Sequence, residues 1–292
     1  MAMIPAIDDS PPRPERIGTA SVTYTRVKSI LTPASGFVRA YDYTLNPYAG
    51  CSFGCEYCYA RFFAPSDDLV ATWGTWVHAK SDAAAAVRRA KRSRGQHRLE
   101  RGASIYMSSA TDPYQPVEKQ LGITRAILEE LVEVQPRLTI QTRSPIAVRD
   151  IDLFKRFAHL RVNFTVPTDS DRVRHRYEPR CASIEARLRA VERIAAAGVR
   201  VGISISPMLP IADPRAFAER IAQTGASGCV TQYLKPPNVR FAAGSPGEAI
   251  RKLREDGWSP QRFREACAAI GETLAAHGLR LFEGKDGYAP VE

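Results

Sequence analysis

The 292-residue chain is 44% hydrophobic and 25% charged, which suits one large α/β barrel or two ordinary domains. No stretch approaches the roughly 18 apolar residues that span a bilayer. Residues 1–16 hold Asp8, Asp9 and four prolines instead of an apolar run, so neither a membrane span nor a secretory leader is expected and the predicted address is cytoplasmic. The formal charge of +10 belongs to a chain in which Arg greatly outnumbers Lys, so where the cations sit says more than their sum.

Residues 1–18, Pro-rich and polar, predict a loose arm ahead of a single core domain over 19–292. Residues 38–45, rich in aromatic and β-branched types, predict a first strand that leads directly into a cluster of cysteines. A helix follows over 82–91, a second strand over 103–108, a helix over 122–134, a third strand over 138–142, a helix over 147–157 and a fourth strand over 162–166. Ile184, Leu188, Val191 and Ala195 then share one helical face, with Ser183 as N-cap and Gly198 as stop. After a fifth strand over 199–205, Asp213-Pro214 reads as an N-cap followed by proline at N1, with Phe217 and Ile221 on one face. A sixth strand covers 229–234. Ser259-Pro260 repeats the helix-start signature before Phe263, Cys267, Ile270 and Leu274, which predicts a C-terminal helical extension.

Six strands alternating with helices imply parallel βαβ units with right-handed crossovers. Near-continuous apolar strands suit a sheet covered on its outer face. The predicted class is therefore α/β, a partly closed (βα)6 barrel, with a doubly wound open sheet as the alternative. Chemistry in such barrels collects where strands end and helices begin, and the cysteines fall at that end.

Three of the six cysteines crowd into eight residues, within Gly50-Cys51-Ser52-Phe53-Gly54-Cys55-Glu56-Tyr57-Cys58. A disulfide framework belongs in a shorter secreted chain and is spread more evenly. The C-x3-C-x2-C spacing lets three thiolates converge on one compact cluster, with Gly50 and Gly54 turning the backbone around it. Soft thiolates are what iron–sulfur clusters need. Three cysteines on a four-iron cube leave one iron open, as a catalytic site requires and a structural site avoids. The competing reading is a zinc knob, which wants a fourth tight ligand; the nearest histidine in sequence is His78, and only the fold can supply that or Cys181. Cys229 and Cys267 fit apolar faces and read as small core residues. Cys181 falls in the loop after the fourth strand, at the predicted active face. A radical relay or an extra ligand is conceivable there, but isolated cysteines usually pack, and packing is the expectation.

The spacing, with an aromatic residue before the last cysteine, resembles the signature of the radical S-adenosylmethionine (SAM) superfamily. Asn46-Pro47-Tyr48 before it and Tyr59-Ala60-Arg61 after it resemble the spore photoproduct lyase-like branch. The likeness runs from Lys28 to about Pro210 and takes in Thr111-Asp112-Pro113-Tyr114-Gln115-Pro116, Thr142-Arg143-Ser144-Pro145, Arg149-Asp150 and Glu178-Pro179. This resemblance implies a partial TIM-like barrel of the radical SAM type, with a [4Fe-4S] cluster on Cys51, Cys55 and Cys58. SAM would chelate the open iron through its amino and carboxylate groups. An electron from a flavodoxin- or ferredoxin-type donor would then break the C5′–S bond, and the resulting radical would remove a hydrogen atom from a substrate. The resemblance also implies Tyr57 beside the adenine, Thr111 and Asp112 near the SAM amino group, Arg143 on the SAM carboxylate and Thr165 near the ribose. Each has a plainer reading: a packed tyrosine, an Asp-Pro turn, an ion pair and a strand threonine.

The chain departs from the lyase proper, which uses a cysteine near the end of its second strand. Here that stretch reads Met107-Ser108-Ser109-Ala110-Thr111, so photoproduct repair by the same route is not expected. A nucleic acid or nucleotide remains one candidate substrate. Arg88, Arg89, Lys91, Arg92, Arg94, Arg98 and Arg101 read as a solvated helix face. Arg172, Arg174, His175, Arg176 and Arg180 follow the fourth strand, where cations at the mouth would gather a phosphate-bearing substrate unless they pair internally. The alternative function is a catalytically inactive iron–sulfur or zinc protein with a sensor or binding role. Thr111, Asp112 and Arg143 favour the enzyme, since a sensor needs no SAM site.

Overall fold

The computed structural model describes residues 13–93, 98–234 and 245–292. Twelve strands are seen among them: β1 (Arg16–Ile17), β2 (Ala20–Thr25), β3 (Leu31–Pro33), β4 (Tyr43–Leu45), β5 (Tyr48–Ala49), β6 (Trp76–Lys80), β7 (Ser104–Met107), β8 (Arg137–Thr142), β9 (Leu160–Thr165), β10 (Val201–Ile205), β11 (Cys229–Thr231) and β12 (Leu281–Glu283). The larger sheet runs β3-β4-β7-β8-β9-β10-β11-β12. Its strands from β4 to β12 are parallel and β3 is an antiparallel edge. The predicted α/β class is the one observed, and the six expected strands are six of the seven parallel ones.

The seventh follows the expected C-terminal helix. After helix Pro260–Ala276 the chain adds β12 beside β11, with Leu281 opposite Cys229. Three residues are too few to show a period of two, so this strand has no sequence signal of its own.

The strand period sorts the side chains. Ile105, Met107, Leu138, Ile140, Val162, Phe164, Val201, Ile203 and Ile205 belong to one apolar cluster with the helices that cover the sheet. Intervening positions are polar and bonded across strands: Tyr106 to Gln141 (3.1 Å), Gln141 to Thr165 (2.8 Å) and Ser204 to Tyr288 (2.6 Å). One face of the sheet is thus sealed by helices, and the other carries hydrogen-bonding groups.

The predicted caps are present. Ser183 and Ser259 each accept a backbone N–H at 3.2 Å, and Asp213 accepts from Arg215 and Ala216. Such a cap contributes about 1 kcal/mol. The helix expected over 147–157 is instead a 3-10 turn, Pro145–Asp150, followed by the short helix Ile151–Phe154. Asp150 is fully buried at the junction and held by Arg125 (2.9 Å), 25 residues away, and by its neighbour Arg149 (2.8 Å).

A second sheet, β1-β2-β6-β5, has its own small core of Ala20, Val22, Tyr48, Val77, Ala79 and Val117. It narrows the expected arm of 1–18. Glu15 accepts from Val22 N–H (2.8 Å), Pro14 from the Tyr24 hydroxyl (2.7 Å), and Arg16–Ile17 pair with β2. Residues 1–12 lie outside the described part. No helix among the described residues is long and apolar enough to cross a membrane.

Candidate active site at the cysteine loop

The cysteine loop leaves β5 and turns through the left-handed conformation at Gly50 (φ +74°) and Gly54 (φ +57°). A Cβ at Gly50 would lie 2.4 Å from the Trp76 ring, so β6 excludes any larger residue there. Fully buried Gln115 reaches across from the segment after β7. Its amide donates to the Gly50 carbonyl (3.3 Å) and accepts from the Ser52 N–H (2.9 Å). Thr111 donates its hydroxyl to the same Gly50 carbonyl (2.6 Å).

Asp112 ties this segment to the end of β8. Its carboxylate accepts from Tyr114 N–H (2.9 Å), the Thr142 hydroxyl (2.7 Å) and Arg143 N–H (2.9 Å). Burial pushes its carboxyl up, with Arg143 and these donors opposing. Thr111 and Asp112 therefore sit beside the cysteine loop and the end of β8, where both brace protein.

Cys51 and Cys55 are buried and Cys58 is partly so. The three thiols act on one another. Burial pushes Cys51 well up, and Asp112, Cys55 and Cys58 add to it. Burial and then Cys55 push Cys58 up to about 11. Cys55 is lowered, first by its hydrogen bond with Cys181 and then, against burial, by Arg143. A tetrahedral zinc ion would hold its sulfurs about 3.8 Å apart. Among the described residues no set containing all three loop thiols falls within 4.8 Å of itself. The donors of the trio are soft sulfurs on one short loop, each within electrostatic reach of its neighbours, which fits a thiolate-held cluster.

Arg143 reaches over the loop. Its guanidinium donates to Cys55 Sγ (3.1 Å), to the Tyr57 hydroxyl (2.7 Å) and to Glu178. Tyr57 lies with its ring 5.8 Å beneath that guanidinium and donates its hydroxyl to Glu178. The second oxygen of Glu178 accepts from Arg187 (2.6 Å), and both of these residues are fully buried. Burial alone would raise the Glu178 carboxyl, but Arg187 and Arg143 together hold it below its ordinary value. Arg187 also donates to the Thr165 carbonyl (3.1 Å), while the Thr165 hydroxyl accepts from Gln141.

The sequence offered Glu178 only as part of the family likeness and as an internal partner for nearby cations, and it gave Arg187 no role. Arg187 had a signal: it interrupts an otherwise apolar helix face, between Ile184 and Leu188. Cys181 was expected only to pack, and its buried Sγ lies 3.8 Å from that of Cys55. Cys55, Cys181 and Glu178 do bring three ligand-type atoms within 4.8 Å. Two guanidiniums already occupy the Glu178 oxygens there, which disfavours a further cation. Cys229 is buried in β11 and Cys267 is half-buried on its helix, as expected of core residues.

The cations at the mouth are mostly committed to the fold, against the expectation of a substrate rim. Arg174 is buried and bonded to Asp171 (2.5 Å) and to the Cys181 carbonyl (2.9 Å). Arg176 pairs with Asp256 (2.7 Å), and Arg180 donates to the carbonyls of Gly74 and Ser52. Arg172 is exposed. On helix Ala83–Arg92, Arg88 and Lys91 pair with Glu130 and Arg89 with Asp82. Arg94 lies outside the described residues.

A model of the radical SAM superfamily matches residues 45–221. The chain is similar to an uncharacterized protein of Methanocaldococcus jannaschii, 34% identical over 168 residues, covering 58% of this chain and 61% of that protein. It is also similar to a radical SAM Nalpha-GlyT isomerase of Pseudomonas phage M6, 25% identical over 196 residues, covering 65% of this chain and 39% of that one. It thus spans less than two thirds of either relative's length. Among solved structures, spore photoproduct lyase complexed with dinucleoside spore photoproduct shares the fold: the TM-score is 0.55 at 13% identity, over 90% of this chain and 82% of that one.

Proposed function

The chain belongs to the radical SAM superfamily, and from that premise we propose that Cys51, Cys55 and Cys58 hold a [4Fe-4S] cluster with which it cleaves SAM reductively and removes a hydrogen atom from a substrate. One observation carries the reading: three thiols that act on one another stand on one short loop braced by Gln115 and Thr111. When bound, such a cluster supplies the electron that breaks the C5′–S bond of SAM.

The chain's own residues supply order and charge. Gln115 and Thr111 hold the loop backbone beside Cys51, so little reorganisation is left for the moment of binding. Arg143 offers the SAM carboxylate a cation with a planar donor fork. One nitrogen of that fork bonds Glu178, Tyr57 and Cys55 Sγ, and Arg187 holds the other Glu178 oxygen. Tyr57 would serve the adenine of SAM, Thr165 its ribose, and Thr111 with Asp112 its amino group. A flavodoxin- or ferredoxin-type protein donates the electron in the cytoplasm.

For the substrate we propose a nucleic acid or nucleotide. The dinucleoside in the similar lyase structure supports this class, and exposed Arg172 remains to meet a phosphate. The stretch from Met107 to Thr111 has no cysteine, so thiol-dependent photoproduct repair is not part of the proposal.

Anaerobic reconstitution followed by assay for 5′-deoxyadenosine tests the core of it. Brown absorbance and SAM cleavage are expected together, and each of Cys51→Ala, Cys55→Ala and Cys58→Ala should abolish both. Full activity in any of the three variants would refute the ligand assignment.

A further inference from the structure

We infer that Cys181 is a positioning residue for the cluster: its thiol donates a hydrogen bond to the sulfur of Cys55 and, with Arg143, makes the cluster easier to reduce. This rests on the assignment of Cys55 as a cluster ligand.

The geometry is specific to one of the three ligands. Cys55 Sγ has Cys181 Sγ at 3.8 Å and an Arg143 guanidinium nitrogen at 3.1 Å. Cys51 and Cys58 meet backbone N–H groups instead, those of Phe53 and Ala60. A thiolate bound to iron has lost its proton and can only accept, so the S–H of the pair must be that of Cys181. Cys181 lies 126 residues away in sequence, is buried, and faces the Glu178 carboxylate.

Its position is built. The Cys181 N–H donates to the Glu178 carbonyl (3.1 Å), and the Cys181 carbonyl accepts from Arg174 (2.9 Å). Arg174 is in turn anchored on Asp171 (2.5 Å), whose carboxylate also accepts from Ile184 N–H (3.2 Å). Two consecutive helices, Asp171–Tyr177 and Ile184–Ala196, therefore hold the thiol against the loop. Reduction adds negative charge that the sulfurs share. Donors aimed at a ligand sulfur stabilise that charge and raise the potential.

The test is a redox titration of the reconstituted, SAM-free cluster, followed by electron paramagnetic resonance, in wild type, Cys181→Ala and Cys181→Ser. Equal iron and sulfide content is expected in all three. The midpoint of Cys181→Ala should move to a more negative potential, with reduction disfavoured up to about tenfold, or 59 mV for one electron. Cys181→Ser keeps a donor and should recover most of the shift. A wild-type midpoint in Cys181→Ala at full cluster content overturns the inference and leaves the ligand assignment standing. Loss of the cluster in Cys181→Ala and Cys181→Ser alike also overturns it, because Cys181 would then be a ligand. A wild-type protein that takes up no [4Fe-4S] cluster removes the underlying assignment, and the inference with it.

Discussion

Gln115 brackets Cys51: its side-chain amide donates to the carbonyl on one side of that residue and accepts from the N–H on the other. A buried amide in this position does for an irregular loop what a neighbouring strand does for a regular one. Gln115→Leu leaves the Ser52 N–H buried without its partner, at a cost of about 1–3 kcal/mol. The variant should unfold at lower denaturant and take up less iron on reconstitution. Unchanged iron uptake would mean that the loop is held by other contacts.

Gly50 faces a second constraint, from the opposite side. Gly50→Ala places a Cβ 2.4 Å from the Trp76 ring in a backbone conformation with φ +74°. Gly36 has a similar φ of +59° but open space around it. Gly36→Ala should therefore cost only the left-handed strain, about 1–2 kcal/mol. Gly50→Ala should cost more and displace Trp76, which tryptophan fluorescence would report. Equal stability of the two variants would show that the loop yields easily.

Arg187 and Glu178 are both without solvent contact. Removing one partner of such a pair costs about 3–5 kcal/mol, because a buried charge is left behind. Arg187→Met should lose stability on this scale in denaturant titrations, although Arg143 still holds the other carboxylate oxygen. A loss below about 1 kcal/mol would indicate that Arg143 alone balances Glu178.

Acid should loosen the join between β4 and β7. The Asp42 carboxylate accepts from the Ser104 N–H and hydroxyl, each at 2.8 Å, and the Ser104 backbone donor is the largest cause of its lowered pKa. A carboxyl lowered in the folded state contributes stability above its unfolded value of about 3.9, and that contribution is lost as pH falls through the folded value. Asp42→Asn should flatten the decline of stability below about pH 4. An identical acid limb in the variant would assign the decline to other carboxylates.

Arg172 carries the remaining test of a nucleic-acid substrate. Replacing Arg174 would strip the Cys181 carbonyl and Asp171 of a buried partner, and Arg176 and Arg180 bond Asp256 and the Gly74 and Ser52 carbonyls, so Arg172 is the informative position. Arg172→Ala should lower the slope of log affinity against log salt by about 0.7–0.9, with cluster content unchanged. No binding at low salt, or an unchanged slope, would favour a small-molecule or peptide substrate.

The local features were legible in the sequence. Cap residues announce helices whose starts are fixed by hydrogen bonds two or three residues on, as at Ser183, Asp213 and Ser259. Apolar runs announced six parallel strands because a strand covered by helices needs little polar alternation. The two-residue β1 and β5 and the three-residue β12 escaped because so few residues carry no period, whereas β2 (Ala20–Thr25) alternates buried and exposed residues and its signal went unread.

By itself the sequence determined the cysteine loop: three thiols within eight residues cannot stray far from one another, whatever the fold. Only the tertiary structure decided what surrounds them. It set Cys181 against Cys55, laid Arg143 over Tyr57, buried Glu178 between two arginines, and paired Arg174, Arg176 and Arg180 with groups of the fold itself. Those partners are brought together by crossovers between strands, and contacts across so many residues leave no trace in local spacing.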